Sequence, residues 1–238
     1  MTPPSLQPGN VKKGSADSPQ DAPETTILVT EIYRSVQGES TWAGRPCTFI
    51  RLTGCNLRCV WCDTEYAFHH GDNMTIAEVL EECRRLGCPL VEITGGEPLL
   101  QKGCPALAEA LLAEGYTVLC ETSGSLPIAA LPREVIKVMD LKCPGSGESD
   151  MNDWANLDAL SPRDEVKFVI SDRDDYEWSR DVLRAHNLAA RCNAVLFAPV
   201  FGVLDPQVLV EWLLEDGLDV RFQLQLHKFV WPPDQKGV

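Results

Sequence analysis

The chain has 238 residues, 44% of them hydrophobic and 24% charged, a balance ordinary for a globular protein with a substantial core. Its formal net charge of −14, with no Lys/Arg run, argues against a nucleic-acid surface, which concentrates positive charge to neutralise phosphates. Ten cysteines without a secretory apolar segment, and no apolar run of bilayer length, point away from disulfide staples and membranes and toward a reducing cytoplasm.

Residues 1–25 are rich in Pro, Ser, Gly and Gln and nearly devoid of large apolar side chains, so they are expected to form a flexible tail ahead of a single domain over 26–238. From Ile27 the composition changes. Ile27-Leu28-Val29 and Glu31-Ile32-Tyr33-Arg34 read as a short strand that leads into Ser35-Val36-Gln37-Gly38-Glu39-Ser40. Cys47 to Leu52 is β-branched and aromatic, a clear strand that ends at Gly54.

Immediately after it comes Cys55-Asn56-Leu57-Arg58-Cys59-Val60-Trp61-Cys62-Asp63-Thr64, three cysteines in C-x3-C-x2-C spacing. Iron–sulfur cubanes take four ligands, so three thiolates leave one iron open, whereas a structural zinc site closes its shell with four protein ligands. No second C-x2-C pair and no C-x2-C…H-x3-H pattern occurs in the chain. The loop leaves the C-terminal end of a strand, the edge where parallel α/β proteins collect their active sites.

Strands then alternate with helices. His69-His70 beside Gly71-Asp72-Asn73 reads as an exposed loop; Thr75 and Glu78 read as a capping box before a helix with apolar Ile76, Val79, Leu80 and Cys83. Leu90 to Thr94 is a strand that runs into Gly95-Gly96-Glu97-Pro98, and residues 105–114 are a helix stopped by Gly115. Further strands are expected over 116–121, 135–141, 165–170, 194–197 and 222–226, with helices over 173–186 and 206–215. These strands are nearly continuous apolar runs, as when helices cover a parallel sheet. Some six β/α units indicate a barrel or partial barrel of class α/β. Trp154, Trp178 and Trp212 are expected in the core or an interface, and the seven cysteines outside the loop as buried apolar residues.

The C-x3-C-x2-C loop after one strand, with Gly95-Gly96-Glu97-Pro98 after the next, resembles the radical S-adenosylmethionine (SAM) superfamily. Within it, Tyr33 to Glu39, Cys62-Asp63-Thr64 and Gln225-Leu226-His227-Lys228 are similar to the 7-carboxy-7-deazaguanine synthase family of queuosine and 7-deazapurine biosynthesis. The resemblance implies a partial (β/α)6 barrel, a [4Fe-4S] cluster, SAM and Mg2+, a homodimer, and a reducing electron donor such as flavodoxin. It also implies a carbon–nitrogen lyase that rearranges 6-carboxy-5,6,7,8-tetrahydropterin with loss of ammonia.

On this resemblance Cys55, Cys59 and Cys62 ligate three irons, and the open iron takes SAM, which is cleaved by one electron to a 5′-deoxyadenosyl radical. Gly96 in the Gly95-Gly96-Glu97-Pro98 turn, Trp61, Cys62, Asp63, Ser123 and the Asp140-Leu141-Lys142 segment bind SAM. Val36, Gln37, Gly38, Glu39, Arg51 and Thr94 bind the pterin, with Arg51 on its carboxylate, a group that guanidinium pairs bidentately. Thr64 is the protein oxygen for Mg2+, which keeps most of its shell for substrate and water. The family's C-terminal portion closes the substrate pocket; here Asp234 to Val238 follow Trp231-Pro232-Pro233, so the terminal carboxylate is expected to lie outside the pocket. Two other readings stay open: a glycyl-radical-enzyme activase of the same superfamily, and a non-catalytic metal-binding interaction module.

Overall fold

The computed structural model describes residues 25–238, so the expected tail lies outside the described residues except for Thr25. The chain forms β1 (Thr26–Val36), β2 (Pro46–Leu52), β3 (Asp72–Thr75), α1 (Ile76–Leu86), β4 (Leu90–Gly95), α2 (Cys104–Ala113), β5 (Thr117–Thr122) and β6 (Ile136–Asp140). It continues with α3 (Asn156–Ala159), β7 (Glu165–Ile170), α4 (Arg173–His186), β8 (Ala194–Pro199), α5 (Pro206–Asp216), β9 (Arg221–Phe222) and α6 (His227–Val230). All nine strands join one sheet in the order β3-β1-β2-β4-β5-β6-β7-β8-β9. From β2 to β9 every pairing is parallel; β1 runs antiparallel to both β2 and β3. The sheet curls but does not close, giving the expected partial barrel.

Local chemistry sets the element ends. Thr75 caps α1 by accepting from the Glu78 amide while the Glu78 carboxylate accepts from the Thr75 amide, the reciprocal box read from the sequence. Gly87 then ends α1 in the left-handed region at φ 70°, a conformation costly for a residue with a Cβ. Asp172 caps α4 by accepting from the Asp175 amide, and Asp205 does the same for α5 through Gln207, with Pro206 in the first turn.

Outward-facing strand residues pack under the helices in two clusters. One is built around Ile50, Ile93 and Leu107, the other around Phe168, Tyr176 and Phe197. Inward-facing residues build something different. At the N-terminal end of the lumen, Cys47, Phe49, Leu90, Leu119 and Ile136 form a small apolar plug. Two or four residues further along the same strands the lumen turns polar: Arg51, Thr94, Glu121 and Asp140 face a cavity. The period-2 alternation of a strand puts the plug and the polar wall on the same face.

Two expectations need correction. The stretch beside His69-His70 is not all loop, because β3 starts at Asp72 and pairs with β1 through Val29↔Asp72 and Thr26↔Thr75. The strand expected over 222–226 stops at Phe222. There the Gln223 side chain accepts from the Ser40 amide at 2.8 Å and the Leu226 amide donates to the Gly38 carbonyl at 2.9 Å, so the backbone turns toward residues 38–40 and leaves the ladder. Trp154, expected in the core or an interface, is 41% exposed on the single chain and stacks on His186 with ring centroids 5.2 Å apart. All seven cysteines outside the loop are buried, as expected.

Candidate active site

A cavity of about 750 Å³ fills the C-terminal half of the lumen. The loop after β2 brings Cys55, Cys59 and Cys62 to its wall as free, half-buried thiols, together with Trp61, Asp63 and Thr64. Burial pushes the Cys55 and Cys59 thiols above their ordinary range, with Lys142 pulling the other way. The Cys62 Sγ lies 3.8 Å from the Thr64 Oγ1.

Opposite this loop, the turn after β4 approaches so closely that a Cβ on Gly96 would stand 2.4 Å from the Gly54 carbonyl oxygen and 2.5 Å from the Cys55 Cβ. Only glycine fits there. The next residue, Glu97, is fully buried and accepts from the Leu99 amide, the Thr122 hydroxyl, and both the amide and hydroxyl of Ser123, at 2.6–3.0 Å. That one carboxylate fastens the end of β4 to the end of β5 and fixes Ser123 at the cavity wall.

The end of β6 carries Asp140 and Lys142, which pair at 2.9 Å and both line the cavity. The second carboxylate oxygen of Asp140, Oδ1, is buried without a hydrogen-bond partner among the described residues. Leu141 between them is different: its side chain is buried in the outer core, so only its backbone faces this region.

Deeper in the lumen stands a charged cluster that adds Lys167, Glu92 and Glu121 to the expected Glu39 and Asp140. Lys167 on β7 donates to Glu39 at 2.8 Å and to Glu121, and lies 3.8 Å from Asp140. Burial opposes its charge, but the carboxylates around it hold its pKa well above the ordinary lysine value. Glu39 resists burial in the same way and is held below the usual carboxylate range by Lys167. Glu92 has no cation in contact among the described residues and accepts from the Gln37 side-chain amide; burial, then Glu121 and Glu39, push its carboxyl well above the usual range. A charge at the third position of an otherwise apolar strand, as in Leu90-Val91-Glu92-Ile93, was the signal available.

Val36, Gln37, Gly38 and Glu39 line the cavity beside this cluster, as do Arg51 and Thr94, which face each other in register on β2 and β4. Arg51 is no surface residue: its side chain is 12% exposed, paired with Glu31 at 2.7 Å and bonded to the Tyr33 hydroxyl at 3.0 Å. Burial drives the Tyr33 hydroxyl up to about 12. Residues 37–41 thus cross from the β1–β2 edge to β7 and to Gln223 and Gln225, bridging side to side where no strand does. Lys228 reaches Asp63 at 2.6 Å, tying the far end of the chain to the cysteine loop.

The C-terminal residues depart from expectation. Pro233 to Val238 line the cavity mouth rather than lying outside it, with the Lys236 ammonium 4.1 Å from the centre of the Tyr66 ring. Lys167, Glu92, Glu121 and Tyr66 also line the cavity, with no contiguous motif to mark them in the sequence.

The donors fit a cluster with SAM on three counts. Three free thiols on one loop match a cubane with an open iron. The glycine turn at Gly96 is a cradle that a Cβ would fill. The orphaned Asp140 Oδ1 is an acceptor waiting for a donor.

Residues 49–200 match the family model described as the Radical SAM superfamily. A 7-carboxy-7-deazaguanine synthase of Koribacter versatilis is 52% identical over 226 residues, covering 89% of this chain and 100% of that one. The 7-carboxy-7-deazaguanine synthase of Chlorobaculum tepidum is 44% identical, covering 90% and 99%. Among solved structures, QueE from Escherichia coli superposes with a TM-score of 0.70 at 22% identity, over 85% of this chain and 95% of that chain, a likeness of fold.

Proposed function

We infer the chemistry from membership: this chain belongs to the radical SAM superfamily and, within it, to the 7-carboxy-7-deazaguanine synthase family. It is a radical SAM lyase that converts 6-carboxy-5,6,7,8-tetrahydropterin to 7-carboxy-7-deazaguanine with loss of ammonia. Its substrate is a small molecule, and among the described residues no helix is long and apolar enough to cross a membrane. The observation that carries the reading is that the three loop thiols and Arg51 line one cavity.

Cys55, Cys59 and Cys62 would hold the [4Fe-4S] cluster, and the Gly96 turn, Ser123 and the Asp140 to Lys142 segment would hold SAM. Together these groups supply, when bound, a carbon radical that abstracts hydrogen from the substrate. The protein's share is position, electrostatics and exclusion of water. Arg51 would pair with the pterin carboxylate, and the Glu31 and Tyr33 contacts already hold its guanidinium in place. Gln37 is oriented by the Glu39 amide, which donates to its Oε1 at 2.9 Å; Glu39 is kept ionised by Lys167. An amide and a carboxylate so fixed suit the amide-like and amino edges of a pterin, with Thr94 as a further contact. Thr64 would offer its hydroxyl to Mg2+. The working enzyme is a cytoplasmic homodimer that receives its electron from a small donor such as flavodoxin.

The test is an anaerobic incubation of reconstituted protein with 6-carboxy-5,6,7,8-tetrahydropterin, SAM and dithionite, with and without Mg2+. Formation of 7-carboxy-7-deazaguanine and ammonia supports the assignment; iron-loaded protein that forms neither overturns it.

A further inference from the structure

The cations around the cavity are not equivalent. Arg51 is committed to Glu31, Lys142 to Asp140, Lys167 to Glu39 and Glu121, and Lys228 to Asp63. Lys236 alone among the lysines and arginines lining the cavity makes no ion pair with the described residues. It stands over the face of Tyr66, whose hydroxyl donates to Glu31 at 2.8 Å, and Glu31 in turn holds Arg51. An ammonium on a ring face is oriented by the ring quadrupole, yet keeps its hydrogen-bond donors free.

The lumen beneath is acidic: Glu39, Glu121 and Asp140 already engage its cations, and Glu92 bonds to Gln37 instead. An anionic ligand that enters such a lumen needs positive charge at the entrance that is not already neutralised, and field lines between low-dielectric walls concentrate its effect. We propose that Lys236, positioned by Tyr66 at the cavity mouth, is a specificity-determining residue that pairs with the carboxylate of the incoming substrate alongside Arg51. The proposal rests on the pterin reading given above. Two ligands of this site carry a carboxylate, the pterin and the methionyl end of SAM. The Tyr66–Glu31–Arg51 chain links Lys236 to the residues assigned to the pterin.

The experiment compares the parent with Lys236→Ala, Lys236→Arg and Tyr66→Leu, each cluster-reconstituted. Binding of 6-carboxy-5,6,7,8-tetrahydropterin is measured by anaerobic calorimetry with SAM present and no reductant, so that no turnover occurs. Lys236→Ala should weaken that binding about tenfold, the size of one charge-assisted hydrogen bond, and Lys236→Arg should restore most of it. Tyr66→Leu should weaken it less than Lys236→Ala. Tetrahydropterin without the carboxylate should bind the parent and Lys236→Ala equally. In turnover, KM for the pterin should rise with kcat nearly unchanged. Unaltered pterin affinity in Lys236→Ala, an equal loss for tetrahydropterin, or a rise confined to the KM for SAM would overturn the proposal. A parent protein that binds and turns over no pterin would instead overturn the functional reading, so the two failures are distinguishable.

Discussion

The ammonium of Lys167, on the seventh strand, donates to the Glu39 carboxylate at 2.8 Å across the lumen, joining the β1–β2 loop to the opposite wall. Both side chains are largely buried, and Lys167 also binds Glu121, so the cation balances charges that arrive from two other parts of the chain. Removing one partner of such a pair leaves an uncompensated buried charge. Lys167→Met should cost about 3–5 kcal/mol of stability. Denaturant unfolding would measure it, and the double variant Lys167→Met/Glu39→Gln should recover part of the loss. A cost below about 1 kcal/mol would contradict this account.

Glu92 offers a pH test. Its folded-state pKa is raised, so the folded protein binds that proton more tightly than the unfolded chain does. Stability from this group is complete below the ordinary glutamate range and is lost as pH rises through the raised value. Glu92→Gln, which keeps an acceptor for Gln37, should therefore lose less melting temperature than the parent between about pH 5 and about pH 8. Parallel melting profiles across that interval would count against it.

At Gly96 the expected effect is steric. A Cβ 2.4 Å from the Gly54 carbonyl must push the cysteine loop aside. Gly96→Ala should lower iron content after reconstitution and weaken SAM binding about tenfold or more, as overpacking a tight contact does. Iron analysis and SAM titration would check this; parent-like values in both would exclude the cradle role.

Thr64→Ala should raise the Mg2+ concentration needed for half-maximal rate about tenfold or more, with the cluster intact by absorbance and iron analysis. An unchanged Mg2+ requirement would remove Thr64 from the metal site.

Glu97 is the stability counterpart. With four donors bound to its carboxylate and no exposure, Glu97→Ala leaves a buried amide and hydroxyls without their acceptor. The loss should be about 2–4 kcal/mol by thermal or denaturant unfolding. A near-neutral effect would mean that the β4 and β5 ends are held by other contacts.

Much of this arrangement was legible because it is written locally. The strand over 165–170 and the helix over 173–186 occupy the predicted residues, since apolar runs, caps and a left-handed Asn187 mark their limits in sequence. The thiol loop and the glycine turn are contiguous motifs. Long-range chemistry was illegible in comparison. The short run Asp72–Thr75 became a strand only because β1 offers it the edge that faces away from β2. Residues 223–226 left the sheet because Gly38 and Ser40, some 180 positions earlier, take their hydrogen bonds. Glu92 and Lys167 looked like isolated interruptions until the barrel set them face to face with Glu39 and Glu121. Pro233 to Val238 have no periodicity to read, and only the folded chain brings them to the mouth.

The bridge formed by residues 37–41 and 223–228 joins opposite ends of the described chain. During synthesis β2 to β8 can pair with their neighbours as they emerge, but the chamber they enclose has no complete side until Lys228 has left the ribosome. The most local part of the fold is thus available early, and a chamber able to keep a radical from water comes last.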